Sequence, residues 1–591
     1  MTEDILIEKL KKYFGYDSFR QGQRELIENI LEGRNVLGVL PTGGGKSICY
    51  QLPALMTDGV SLVISPLISL MKDQVDSLRE NGINAGFINS SLDSEEYRKI
   101  LSDVKTGQIK ILYISPERLE NEFFRNFIKD IDISFVAVDE AHCISQWGHD
   151  FRPSYKLIPD LYQIKGDVQI LAFTATATKE VREDIINNLQ LSNPFIKVTG
   201  FDRKNLYFKV AKPKNKLTYL NSYLKDHRDD SGIIYASTRK KVDDIYKNLK
   251  SRGYAIEKYH AGLSEGERKK AQDNFIYDRA KIIVATNAFG MGIDKSNVRF
   301  VIHYNMPKDM ESYYQEAGRA GRDGEDATCI LLYSGQDIII NKHLINLGTN
   351  YSFKQFQMGK LQTIINYVNT TRCLREYILA YFGQDADSHC DNCSNCLSEI
   401  KKADKTLDSQ KILSCIYRLE QRYGMTTVLD CLKGSNNKNA REKNLKDIST
   451  FGIMKENSPA YIKDLIGVLV ADGYIKVTGA PYPVLKLTEK SKEVLLDGKT
   501  VLVNIKEEEK KPREIEKDFD TDLFNHLKAV RLDMARKRNI PPFIIFSDAS
   551  LKEMAQKKPR TEEEMLEVKG VGDKKLIQYG DIFLAEIREH E

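Results

Sequence analysis

The chain has 591 residues, 41% of them hydrophobic and 29% charged, an ordinary balance for a soluble protein and too long for one core. At roughly 100–200 residues per domain it should hold three to five domains. No apolar run reaches the roughly 18 residues of a membrane span, and the acidic start lacks the basic-then-apolar order of a secretory leader, so an intracellular protein without a membrane partner is expected.

Residues 1–200 alternate short apolar runs at 36–40, 61–64, 109–114, 135–138 and 169–173 with amphipathic stretches such as 69–80 and 94–104. That order predicts a doubly wound parallel sheet. A polar stretch at 201–216 breaks the pattern. It then restarts with runs at 232–235, 255–259, 281–285, 300–303 and 328–332, predicting a second α/β domain over 201–335. Residues 336–400 read as helical and carry four of the nine cysteines. Residues 401–505 read as helices closed by two alternating runs around Gly479-Ala-Pro-Tyr-Pro483, which predicts a β-hairpin and a winged helix. This segment holds 18 Lys+Arg against 12 Asp+Glu, a surplus larger than that of the whole chain. Such a surplus suits phosphate contact, although a solvated basic surface is an equal alternative. Residues 506–518 are charged and almost free of apolar side chains, as a linker would be. Residues 519–591 return to amphipathic helices, a small all-α domain.

The first apolar run leads into Pro41-Thr42-Gly43-Gly44-Gly45-Lys46-Ser47. Three glycines let backbone N–H groups close around phosphate, and the following helix offers its positive end to the same anion. Lys46 is placed to reach the β and γ phosphates of ATP and Ser47 to hold Mg²⁺. The usual leading glycine of this loop is replaced by Leu40. The run at 135–138 ends in Asp139-Glu140-Ala141-His142. Asp139 is the expected partner of Mg²⁺, and Glu140 the group that orients or deprotonates the attacking water.

With these residues the chain resembles a known family. Asp139-Glu-Ala-His142, Phe173-Thr-Ala-Thr-Ala-Thr178 and Gln315-Glu-Ala-Gly-Arg-Ala-Gly-Arg-Asp-Gly324 look like motifs of superfamily 2 helicases. Phe14-Gly-Tyr-x-x-Phe-Arg-x-x-Gln23 is similar to the adenine-recognition motif of the RecQ family. Gln23 would pair with the adenine edge, with Tyr16 and Arg20 stacked on the ring. Arg319 and Arg322, three apart and expected on one helix face, would reach the γ-phosphate from the second domain. The resemblance assigns the arginine finger to Arg322. It also implies that both α/β domains are RecA-like.

Trp147, the single tryptophan, sits with His149, Phe151 and Arg152 in a segment that resembles the aromatic-rich loop of RecQ helicases. Such a loop suits stacking on single-stranded DNA bases, the alternative being a core tryptophan. Backbone contacts to DNA are expected from Ser65, Ser115, Thr238, Arg239, His260 and Thr286, all after predicted strands.

Cys390, Cys393 and Cys396, with Cys373 from an upstream helix, suit tetrahedral zinc in a closed shell, with an iron–sulfur cluster as the competing metal. RecQ enzymes carry a zinc site in this position. Residues 423–437 look like the start of the RecQ winged helix, whose hairpin tip near Tyr482 could part the strands. The tail resembles the helicase-and-RNaseD C-terminal (HRDC) domain through Leu532-Asp-x-Ala-x-x-x-x-Ile540-Pro-Pro-Phe543 and Val568-Lys-Gly-Val-Gly572. Gly570 and Gly572 predict a turn able to cradle phosphate. Residues 521–591 hold 13 Lys+Arg and 13 Asp+Glu, so a weak single-strand contact or a protein-contact role is nearly as well supported. Taken together, the resemblance implies an ATP-dependent 3′–5′ helicase with ATP, Mg²⁺ and Zn²⁺. It would act on single-stranded and forked duplex DNA in recombination, repair and the SOS response. Single-strand-binding protein or other repair proteins would be partners, at the nucleoid in the cytoplasm. The rival readings are an RNA helicase of the DEAD/DEAH class and a DNA-binding scaffold with an inactive ATPase.

Overall fold

A computed structural model describes residues 3–66, 68–89, 92–145, 151–289, 295–347, 351–478, 484–509 and 519–590. The first domain holds seven strands: β1 Val36–Val39, β2 Val60–Ile64, β3 Ala85–Ile88, β4 Ile111–Ile114, β5 Ile133–Val138, β6 Ile170–Thr174 and β7 Phe195–Val198. They form one sheet in the order β3-β4-β2-β5-β6-β1-β7, every pair parallel. The second domain holds β8 Leu206–Ala211, β9 Gly232–Tyr235, β10 Ile256–Tyr259, β11 Ile282–Ala285, β12 Phe300–His303 and β13 Ala327–Leu332. Their order is β10-β11-β9-β12-β13-β8, again parallel throughout.

Helices cover both faces of these sheets, so central strands are apolar without alternation. All residues of β1, β2, β4, β6, β9, β11 and β12 are buried. The three strands absent from the sequence reading, β3, β7 and β8, all lie at sheet edges. β8 alternates buried and half-buried residues because one face is only partly covered. It occupies the middle of the stretch expected to be a polar break.

The region after β13 is helical, with helices Gly335–Asn346, Tyr351–Asn369, Leu374–Tyr381 and Ser394–Leu397. Next come β14, Ser398–Asp404, then helices Thr406–Arg418, Met425–Lys433, Lys438–Glu442 and Pro459–Ala471. The antiparallel hairpin of β15, Ile475–Thr478, and β16, Val484–Leu487, follows them, giving the expected winged helix. Its tip, Tyr482 included, lies outside the described residues. β17, Leu502–Glu509, runs four residues into the stretch expected as linker. Antiparallel pairing with β14 holds it there, a long-range partner that composition does not reveal. Among the described residues no helix is long and apolar enough to cross a membrane.

The C-terminal domain packs its own core around Leu527, Phe546, Met554 and Phe583. Inside it Arg531 is 1% exposed and meets Asp548 at 2.7 Å and the Phe546 carbonyl at 2.7 Å. The domain also bridges both α/β domains. The Gly570 N–H donates to the Gly15 carbonyl (2.9 Å), Lys574 to the Arg79 carbonyl (2.6 Å) and the Tyr579 hydroxyl to Glu80 (2.8 Å). On the second domain Lys552 pairs with Glu325.

Candidate ATP cleft and zinc centre

The phosphate loop joins β1 to the helix Lys46–Ala54. Gly43 and Gly45 adopt φ +78° and +75°, which β-carbon-bearing residues rarely do. A Cβ on Gly45 would fall 2.3 Å from the Gln23 amide nitrogen. Gln23 is buried, and its N–H₂ donates to the carbonyls of Gly44 (3.2 Å) and Gly45 (3.1 Å), while its Oε1 accepts from the Arg20 N–H (2.8 Å). Arg20 donates to the Gly43 carbonyl. The residues expected to read adenine therefore grip the loop. Reading the base requires the Gln23 amide to exchange partners. Tyr16 stands beside them, 37% exposed.

β5 delivers Asp139 and Glu140 to the same cleft. Burial and the neighbouring Glu140 carboxylate push the Asp139 carboxyl up to about 7, against the pull of Lys46 and the Glu140 N–H. Burial holds the Tyr50 hydroxyl, one turn along the helix from Lys46, well above the usual tyrosine value, and the Asp139 charge adds to that. Glu140 holds a left-handed backbone, φ 47° and ψ 46°, that turns the chain sharply after the strand. The buried His142 carries its Nδ1 3.3 Å from Glu140 Oε2 and 2.9 Å from Thr174 Oγ1. Thr174 Oγ1 in turn accepts from the Thr176 N–H (3.3 Å). The water-orienting candidate is thus wired to the 173–178 motif. The Tyr155 hydroxyl donates to the Asp139 carbonyl (2.8 Å) and braces the strand end.

Across the cleft the helix Met310–Ala317 stops before the arginines. Arg319 and Arg322 occupy the turn that follows, not a helix face. Gly321 at φ +56° ends the helical path and leaves carbonyls without helical partners. Arg203 takes them up: Nη1 donates to Gly318 (3.2 Å), and Nη2 to Ala320 (3.0 Å) and Gly321 (2.7 Å). Nη1 also donates to Thr42 in the phosphate loop. The two domains meet closely here. A Cβ on Gly318 would lie 3.2 Å from Thr42 Cβ, and one on Gly43 3.5 Å from Arg322 Cα. Arg319 is 4% exposed and its charge reaches Tyr235.

The expected DNA contacts sit at the carboxyl ends of strands on both sheets: Ser65 after β2, Ser115 after β4, Thr238 and Arg239 after β9, His260 after β10 and Thr286 after β11. Thr238 caps the next helix by accepting from the Lys241 N–H (3.2 Å), and Arg239 is exposed. Ser65 and His260 are buried, and His260 is engaged by the Gly262 N–H (3.2 Å) and Asp243 (3.6 Å). Of the aromatic-rich segment, Trp147 and His149 lie outside the described residues. Phe151 packs under Lys156, and Arg152 donates to the Pro66 carbonyl (2.8 Å), joining that segment to the loop after β2.

The sulfurs of Cys373, Cys390, Cys393 and Cys396 lie within 4.8 Å of one another. Two of the pairs are at 4.0 Å. One zinc ion at about 2.3 Å from each sulfur in a tetrahedron needs S–S spacings of about 3.8 Å. Each sulfur also accepts one backbone N–H at 3.4 Å, from Glu376, Asn392, Cys396 and Cys390. Four thiolates around one point, each steadied by an amide, fit a single zinc better than a multi-iron cluster, whose ligands stand farther apart. Zinc there would cross-link two segments, Cys373 and the run Cys390–Cys396, and keep no open position. Arg375 beside the centre donates to Asp202 (2.6 Å) and to the carbonyls of Arg203 (2.6 Å) and Leu206 (2.6 Å), fastening the centre to the lead-in of β8.

Arg203, Asn205, Arg375 and Tyr155 were not singled out from the sequence. Their partners are mostly backbone carbonyls far away in the chain, and carbonyls leave no mark on side-chain patterns.

Five family models match in order along the chain. They are DEAD/DEAH box helicase over residues 20–184, Helicase conserved C-terminal domain over 215–324, RecQ zinc-binding over 335–397, RQC domain over 399–513 and HRDC domain over 520–587. The ATP-dependent DNA helicase RecQ of Bacillus subtilis is 46% identical over 583 residues, covering 98% of each chain. Its counterpart in Haemophilus influenzae is 41% identical over 591 residues, covering 98% of this chain and 95% of the other. That of Pasteurella multocida is 39% identical over 592 residues, covering 99% and 94%. Loop, acidic strand end, cross-cleft arginines and four-cysteine centre thus fall inside domains that the relatives share from end to end, and the chain belongs to the RecQ family of ATP-dependent DNA helicases.

Proposed function

We propose that the chain couples ATP hydrolysis at the cleft to 3′–5′ movement on single-stranded DNA and to the parting of forked duplexes. The observation that carries this reading is the meeting of two half-sites. The phosphate loop, Asp139 and Glu140 come from one sheet. The turn bearing Arg319 and Arg322 comes from the other, so close that a Cβ on Gly43 would lie 3.5 Å from Arg322 Cα. Neither half can hydrolyse ATP alone, so hydrolysis follows closure and release follows opening.

Lys46 and the loop N–H groups hold the phosphates, Glu140 orients the attacking water, and Arg322 meets the charge that develops on the γ-phosphate. Ser47 and Asp139 would hold Mg²⁺, which when bound would neutralise charge on the ATP phosphates. The Glu140–His142–Thr174 chain carries the state of the water site toward the DNA-facing strand ends. Those ends, with Arg239 and the 147–152 segment, form the single-strand track. The winged helix, with its basic surplus, grips duplex ahead of it. Recombination and repair at the nucleoid, with single-strand-binding protein or other repair proteins as partners, is the setting that the family resemblance implies.

Unwinding of 3′-tailed, 5′-tailed and forked substrates in DNA and in RNA tests the reading. Activity on 3′-tailed and forked DNA is expected. Activity confined to 5′ tails or to RNA refutes it. Lys46→Ala should abolish hydrolysis and leave DNA binding intact, and normal hydrolysis by that variant would remove the site assignment.

A further inference from the structure

Arg203 lies in the connector between β7 and β8, where one domain gives way to the other. Almost everything that holds this connector belongs to the second domain or to the zinc-binding region. The Tyr314 hydroxyl donates to the Phe201 carbonyl (2.6 Å), Gln384 accepts the Phe201 N–H (2.6 Å), and Phe201 stacks on Phe382 at 4.5 Å. Arg375 holds both Asp202 and the Arg203 carbonyl. The Arg203 guanidinium itself fills the turn Gly318–Gly321, with Asn205 adding a bond to the Gly321 carbonyl (2.9 Å). Among the described residues, its bond to the Thr42 carbonyl is the one hydrogen bond of this side chain that reaches the first domain. When the cleft opens, that bond is the one that must break.

The electrostatics point the same way. The guanidinium is met by carbonyl oxygens, and no carboxylate bonds it among the described residues. Burial, with Arg322 and Arg20 nearby, holds it below the ordinary arginine value. Three arginines therefore converge on the residues Thr42–Gly43, and their mutual repulsion is relieved by a polyanion in the loop.

We infer that Arg203 is a cross-cleft latch, a positioning residue that locks the arginine-bearing turn onto the phosphate loop when ATP closes the two domains. It acts through backbone carbonyls and through Arg322, not on the reacting atoms. Arg375, two residues after Cys373 in the helix that Cys373 caps, makes the latch an extension of the zinc-binding region, so the rigidity of that region reaches the ATP cleft.

The inference rests on the ATP site proposed above, and the experiment separates the two. Arg203→Gln and Arg203→Lys are compared with the parent and with Lys46→Ala for DNA-stimulated hydrolysis, for affinity toward a fluorescent ADP, and for melting temperature. Lysine keeps the charge and the aliphatic stem, so that variant should fold, but its shorter ammonium cannot hold four carbonyls in the plane of a fork. For a lost charged hydrogen-bond cluster kcat should fall about tenfold to a hundredfold in both variants. ADP, which lacks the γ-phosphate that closure encloses, should bind within about threefold of the parent. Hydrolysis within about twofold of the parent in both variants, with Lys46→Ala inactive, overturns the latch and leaves the site standing. An active Lys46→Ala instead removes the site. A parallel fall of kcat, ADP affinity and melting temperature in both variants also overturns the latch, because it reduces Arg203 to a structural residue.

Discussion

Replacing Gly15 by alanine should release the C-terminal domain from the ATP-binding core while both remain folded. Gly15 sits at φ +70° just before the residues expected to read adenine, and a Cβ there would lie 2.7 Å from the Val571 nitrogen and 2.8 Å from the Gly570 carbonyl carbon. Both are backbone atoms of the turn and cannot swing aside. Part of the cost, about 1–2 kcal/mol for a left-handed alanine, applies whether or not the domain is docked. The clash applies only when it is docked. Withdrawing the turn breaks the bond from Gly570 to Gly15 and strains those from Lys574 to Arg79 and from Tyr579 to Glu80. At about 1 kcal/mol each, three lost bonds shift the docking equilibrium by roughly a hundredfold. Gly33→Ala is the control, since Gly33 has φ +80° but nothing within 4 Å of its Cβ position. Small-angle scattering should show a longer particle for Gly15→Ala alone. Amide exchange should quicken at Gly570 and be unchanged in the helix Thr521–Arg538. Identical scattering and exchange for the two variants would refute the docking argument.

Three further outcomes are expected. Purified protein should contain about one zinc per chain and no iron, by elemental analysis; Cys393→Ser should lose the metal and loosen the connector around Asp202, seen as faster amide exchange there. Arg531→Ala leaves Asp548 buried without its partner, which should cost about 3–5 kcal/mol and melt the C-terminal domain early, whereas the joint Arg531→Met, Asp548→Leu variant should recover most of the loss, by calorimetry. In the second domain burial works to raise the Asp278 carboxyl, but Lys295 and Lys281 outweigh it and hold it down to about 2. Its folded value lies below the ordinary one, so its stabilisation is present above about pH 4 and disappears as pH falls toward 2; Asp278→Asn should flatten that part of an acid-unfolding curve, by about 2 kcal/mol.

The chemistry was legible where it rests on side chains in sequence order. Lys46, Asp139 and the cysteines could be read because a loop, a strand end and a tight spacing place them by local geometry. The central strands were legible for a similar reason, since burial on both faces leaves an apolar run. Edge strands β7 and β8 were not, because half-covered faces dilute that signal, and β3 was not because its four largely buried residues, Ala-Gly-Phe-Ile, make too short and small an apolar run. The turn carrying Arg319 and Arg322 was read as a helix, because three-residue spacing does not register Gly321 in a left-handed conformation. The turn at Gly570–Gly572, expected to cradle phosphate, instead donates to Gly15. That partner lies more than 500 residues away in sequence, and periodicity cannot see it.

The pairing of β14 with β17 has a consequence for engineering. The polypeptide enters and leaves the winged helix through one two-stranded stem, with Asp404 opposite Leu502. Whatever lies between those two residues is a cassette: a foreign fold with closely spaced ends could replace it without moving the cut points. The same stem, together with the packing of the helix Pro459–Ala471 on Tyr351–Asn369, would transmit torque from the cassette to the zinc-binding region.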